Sequence, residues 1–186
     1  MKRKGFTLVE LLIVIVVIGI LSAMMMLSST EAVTSAKASN IVSNLRNMKT
    51  AALALYVDKL DDWESTSTAT GPIFRSSTTT DNKSTVLKYM NSTNDKTDGT
   101  IGSYNGYGIA TTAKGSGSSF SATKWYVYYN IQTGEDRVLE KLVGRAKSVG
   151  LVGADTAITQ NAGAAATVAS TKDLSTSSKV VLLQVR

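Results

Sequence analysis

FTLVELLIVIVVIGILSAMMML, residues 6–27, decides the fold, because only four of its 22 residues (Thr7, Glu10, Gly19 and Ser22) are not hydrophobic. As a helix the run spans about 33 Å at ~1.5 Å per residue, a match to the ~30 Å hydrocarbon core of a bilayer. Val9, Ile13, Val14, Ile15, Val16, Val17, Ile18 and Ile20 are β-branched and in water would favour a strand. Lipid reverses that preference, since only an internally hydrogen-bonded backbone crosses it. A strand of this length would also run to roughly 70 Å, far beyond ordinary strands. The sequence therefore predicts a membrane-spanning helix.

Immediately before it stand Lys2, Arg3 and Lys4, cations that keep the amino terminus in the cytoplasm and send the rest of the chain across. An ordinary secretory signal has the same outline and would be cut near Ser22 or Ala23, releasing a soluble binding module. Glu10 separates the two cases. A carboxylate early in a membrane segment costs up to ~3 kcal/mol at the bilayer centre, less near the interface, and marks a partner.

Residues 2–10, Lys-Arg-Lys-Gly-Phe-Thr-Leu-Val-Glu, closely resemble the class III signal sequence of type IV pilins and of the pseudopilins of type II secretion. The resemblance implies that a membrane aspartyl peptidase, the prepilin peptidase, cuts after Gly5 and methylates the new terminus at Phe6. It also implies that Glu10 pairs with the amino-terminal charge of a neighbouring subunit. Elementary electrostatics agrees with that pairing. Cleavage after Gly5 removes the basic leader, creates one cation at Phe6 and leaves one anion at Glu10, so axially staggered helices neutralise each other inside an apolar bundle.

Past Leu27 the apolar residues thin to Ala38, Ile41, Leu45, Met48, Ala52, Leu55 and Tyr56, spaced by three and four. That pattern predicts an amphipathic continuation. No glycine or proline falls between Gly19 and Gly71, so one helix from Phe6 to about Leu60 is expected. Many pilins carry a proline near the middle of this helix and this chain does not, so any kink or melting must arise at Gly19 or at residues 28–30. Lys37, Arg46 and Lys49 form a basic patch without acids between Glu31 and Asp58; a solvated or subunit-facing stripe is the plainer role than phosphate binding. Asp58, Asp61, Asp62 and Glu64 gather at the expected helix end, where acids oppose the macrodipole and help termination.

Residues 65–80 hold ten serines or threonines in sixteen and read as an exposed loop. Asn82 and Asn91 open bare sequons of low specificity. Residues 86–90 suggest a short helix begun at Ser84. Residues 94–99 invite a calcium loop, but alignment puts Lys96 at the third position and Asn105 where a bidentate glutamate is required. The match fails, leaving loose coordination by Asp95 and Asp98 as the alternative. Residues 115–117, Gly-Ser-Gly, lack the rest of a nucleotide motif and read as a turn.

Residues 104–110, 125–131 and 179–185 have the β-branched and aromatic enrichment of strands. Between them Val138, Leu139, Leu142, Val143 and Ala146 are spaced for a helix opened by acids and closed by Arg145 and Lys147. Residues 161–170 are small and of low complexity. Tyr126, Tyr128 and Tyr129 could serve as stacking platforms for nucleic acid or charge transfer, but alternation along a strand divides them and sheet packing accounts for them. The expected fold class is α+β: a leader at 1–5, a hydrophobic assembly helix at 6–27, its amphipathic continuation at 28–62, and a head at 63–186 whose antiparallel sheet packs on the helix. This is the ladle that the resemblance implies.

The whole composition narrows function further. The chain has 186 residues, no cysteine and no histidine, which removes disulfides, thiolate chemistry, a serine–histidine relay and the usual zinc or haem ligands. Many pilins pin their tail with a disulfide; this one must use strand pairing or a bound ion. The net charge of +6 owes half its excess to Lys2, Arg3 and Lys4, so bulk charge gives little support for a nucleic-acid partner. No cofactor, metal or enzymatic activity is expected. The resemblance implies a filament subunit for adhesion, motility or DNA uptake, with copies of itself, the prepilin peptidase, an inner-membrane assembly platform with its ATPase, and lipid as partners. The precursor would lie in the inner membrane and the filament outside the cell or in the periplasm. Alternatives are a pseudopilin of a secretion or competence system and a secreted or membrane-anchored binding module.

Overall fold

The computed structural model describes residues 6–58, 89–90, 106–112, 123–158 and 166–186. Helix α1 spans Leu8–Asp58 as one element of 51 residues, unbroken through Gly19 and through residues 28–30. It closely matches the span expected from the absence of glycine and proline. Its two halves differ in what surrounds them. From Ala38 on, Ile41, Leu45, Met48, Ala52 and Leu55 are buried along one side, the i, i+3, i+4 stripe that faces a core.

What they face is a sheet with one further helix. Strands β1 (Tyr107–Thr112) and β2 (Trp125–Asn130) are followed by α2 (Asp136–Val149), β3 (Leu151–Ala154), β4 (Ala166–Val168), β5 (Lys172–Asp173) and β6 (Val180–Gln184). The strands lie in the order β4-β1-β2-β6-β3-β5. All neighbours pair antiparallel except β1 and β4, which run parallel with Ala110 opposite Ala166. The sheet is thus mixed where an antiparallel one was expected. The exception arises because β4 returns to the sheet edge by a long connection rather than a hairpin. The expected strands at 104–110, 125–131 and 179–185 correspond to β1, β2 and β6; β3, β4 and β5 were not anticipated, and β4 falls in the low-complexity stretch.

Alternation along the strands makes two cores. Trp125, Val127 and Tyr129 point to the inner face with Ile109, Val181 and Leu183, against α1 and α2. Tyr126 and Tyr128 point to the outer face with Ala110, Val180 and Leu182. The three tyrosines are therefore divided, as their spacing requires.

Helix α2 buries Val138, Leu139, Leu142 and Ala146 and ends at Gly150, whose φ of 78° and N–H to the Ala146 carbonyl (2.8 Å) form a left-handed cap. The chain's last strand, β6, sits between β2 and β3, so strand pairing fixes the tail. Beyond it the Trp125 N–H donates to the Arg186 carbonyl at 3.3 Å, and the Arg186 guanidinium lies 4.3 Å above the Tyr56 ring, which meets Trp125 edge to face at 5.2 Å.

Candidate functional site

The amino-terminal end of α1 is organised by two residues. Thr7 precedes the helix and Glu10 is its third residue, so their polar groups face each other across the first turn. The Glu10 N–H donates to Thr7 Oγ1 at 3.3 Å. Glu10 Oε2 accepts from the Thr7 N–H at 2.9 Å and from the Thr7 hydroxyl at 2.7 Å. This is a capping box, which satisfies two of the helix's otherwise orphaned donors. The carboxylate also sits at the positive end of the helix dipole. Its other oxygen, Oε1, takes no bond among the described residues and is open to an outside donor.

Thr7 is the capping residue that sequence reasoning passes over, although Thr-x-x-Glu ahead of an apolar run is a recognisable signal. Phe6 is described and 84% exposed. Glu10 bonds to Thr7 and not to Phe6. Lys2, Arg3, Lys4 and Gly5, the expected leader charges and cleavage position, lie outside the described residues, as do Asp61, Asp62, Glu64, Asp95, Asp98, both sequons and the serine- and threonine-rich loop.

Apart from Glu10, the helix from Leu8 to Met26 carries no charge and is covered on no side: even Val14 and Val17, among the least exposed, show 48% and 49% of their surface. Each such side chain gains ~1.5–3 kcal/mol on full removal from water. A helix of this length and composition is suited to cross a membrane. The same surface suits a bundle of like helices.

Elsewhere the expected candidates disperse. Lys37 and Arg46 are exposed, but nine residues at 100° each place them on opposite sides of α1, so no single basic patch forms. Asp58 accepts a 2.5 Å hydrogen bond from the Tyr89 hydroxyl, and burial together with that carboxylate pushes the phenol up to about 12. Tyr89 and Met90 form a single 3₁₀ turn, the described part of the short helix expected there. Among the described residues no three histidine, cysteine, aspartate or glutamate side chains gather to hold a metal ion.

No curated protein and no solved structure matches the chain. Residues 1–26 carry the prokaryotic N-terminal methylation motif, the class III signal sequence of type IV pilins and pseudopilins.

Proposed function

We propose that this chain is a structural filament subunit: a prepilin held in the inner membrane by α1, cut after Gly5, methylated on Phe6 and polymerised helically through residues 6–27. It catalyses nothing itself. Lys2, Arg3 and Lys4 hold the leader on the cytoplasmic side until the peptidase acts, and residues 28–62 with the head at 63–186 stand on the other side. Polymerisation moves the apolar surface of α1 from lipid into a bundle of like helices, and the pair between Glu10 and the next subunit's Phe6 amine sets the axial register. An inner-membrane platform and its ATPase drive the transfer.

The observation that supports this reading is one acid held at the head of the apolar half of α1, with one carboxylate oxygen bonded to Thr7 and the other taking no bond among the described residues. Such an oxygen, close to the terminus that cleavage would create, suits an ammonium from an axially displaced neighbour. Mass analysis of the mature chain's amino terminus is the test. A chain beginning at methylated Phe6 is expected; one beginning near Met24 would mark a signal-peptidase product and overturn the proposal. Substituting Gly5 should leave a full-length precursor that never enters filaments.

A further inference from the structure

Helix α2 meets α1 just above the apolar run. Lys141 Nζ lies 3.9 Å from Glu31 Oε1, and Arg145 donates to Ser39 Oγ at 2.8 Å and to Ser35 Oγ at 3.4 Å. Beside these contacts Glu31, Thr34, Arg137, Glu140 and Lys141 line a concavity of about 160 Å³. Glu31 stands four residues past Leu27, the end of the apolar run, ~6 Å along the axis. The headgroup layer of one leaflet is ~5–7 Å deep. The concavity therefore opens at the height of lipid headgroups.

Its lining is of both signs, two cations and two carboxylates. Arg137 and Glu140 stand three apart on α2, within reach of one another, yet make no ion pair among the described residues. A simple anion would be attracted by Arg137 and Lys141 and repelled by Glu31 and Glu140; a simple cation would meet the reverse. A headgroup carrying a phosphate and a primary ammonium satisfies both pairs at once, with the guanidinium forked onto phosphate oxygens and N–H donors turned to the carboxylates. A quaternary ammonium has no N–H to donate, and a glycerol headgroup has no cation.

We propose that this concavity seats the headgroup of a phosphatidylethanolamine-type lipid and ties the head to the membrane before assembly. The proposal rests on α1 spanning a bilayer, which is scored separately by amide-exchange protection of residues 8–26 in the full-length chain reconstituted into nanodiscs. Lipid choice is read by native mass spectrometry of the full-length chain in detergent doped equally with phosphatidylethanolamine, phosphatidylcholine and phosphatidylglycerol of matched acyl chains.

One phosphatidylethanolamine retained per chain is expected, favoured about fivefold over each competitor, the factor for the ~1 kcal/mol of an exposed ammonium–carboxylate pair that neither other headgroup can make through N–H donors. Arg137→Gln with Lys141→Gln should abolish retention, and Glu31→Gln with Glu140→Gln should turn the preference toward phosphatidylglycerol. Lys147→Gln, which does not line the concavity, should leave it intact. Equal retention of the three lipids, indifference to both double variants, or equally tight competition by soluble phosphoethanolamine would overturn the proposal. Unprotected residues 8–26 would remove the membrane reading and this proposal with it, whereas protection without lipid preference would remove this proposal alone.

Discussion

At single residues the head shows how little room its backbone leaves. Gly153 in β3 lies so close to Ser178 that an added Cβ would collide with the serine side chain, whose hydroxyl accepts the Ser175 N–H at 3.2 Å. Gly153→Ala must therefore displace either that turn or the β3–β6 pairing, where Gly153 stands opposite Val181. A destabilisation of ~1–3 kcal/mol is expected from overpacking of this kind, read from urea unfolding of the detergent-solubilised chain, while Gly144→Ala, with open space around its Cβ position, should not destabilise the fold. Titration gives a second expectation. Burial raises the Tyr128 phenol to about 12, and burial with the Glu135 carboxylate raises Tyr129 further, the phenol donating to Glu135 Oε2 at 2.8 Å. The folded state holds these protons more tightly than the unfolded chain, whose phenols ionise near 10. Stability from this source is full below pH ~10 and falls as pH rises toward 12. Ultraviolet titration of the phenolates alongside unfolding curves would show late ionisation coincident with that loss; early ionisation of all tyrosines in the folded chain would contradict it.

At the scale of elements, α1 is one helix with two different environments, and its halves call for different tests. In the outer half Leu45 is wholly buried against the sheet, so Leu45→Ala should cost ~2–5 kcal/mol in urea unfolding, with methyl-bearing neighbours loosened and the span of residues 8–26 unaffected. In the inner half Val14 is exposed, and Val14→Ala should leave head unfolding unchanged. Both halves of α1 are legible in the sequence, because an all-apolar run of membrane length and a three-to-four spacing are direct images of their surroundings. Helix α2 and strands β1, β2 and β6 are legible for the same reason. Strands β3 to β5 are not: they are two to four residues long, and Gly153, Ala154 and Ala166 carry no strand signature. Their places follow from long-range pairing, such as Ala110 with Ala166, that no local pattern encodes. The site follows the same division. Glu10 stands out because an acid in an apolar run is costly, whereas Thr7 is unremarkable until its hydroxyl is seen closing the first turn.

At the scale of the whole molecule, among the described residues, the sheet and α2 bury one face of the outer half of α1, while its apolar inner half is exposed. Within the proposed filament each mature subunit contributes one cation at Phe6 and one anion at Glu10, so the apolar interior is neutral only while both are present in equal number. A Glu10→Gln subunit still brings its amine but no carboxylate, and every such subunit admitted leaves one positive charge buried without a counterion. Breaking a buried pair in this way costs ~3–5 kcal/mol, far more than the loss of a surface ion pair. Co-expression with the unaltered chain should therefore exclude the variant: its share of sheared filaments, measured by mass spectrometry, should fall at least tenfold below its share of the membrane pool. Its head, more than twenty residues away along α1, should unfold as before, so a difference in folding cannot account for the exclusion. Incorporation in proportion to the membrane pool would mean that the carboxylate does not balance a neighbour's amine, and that burial of apolar surface alone sets the register.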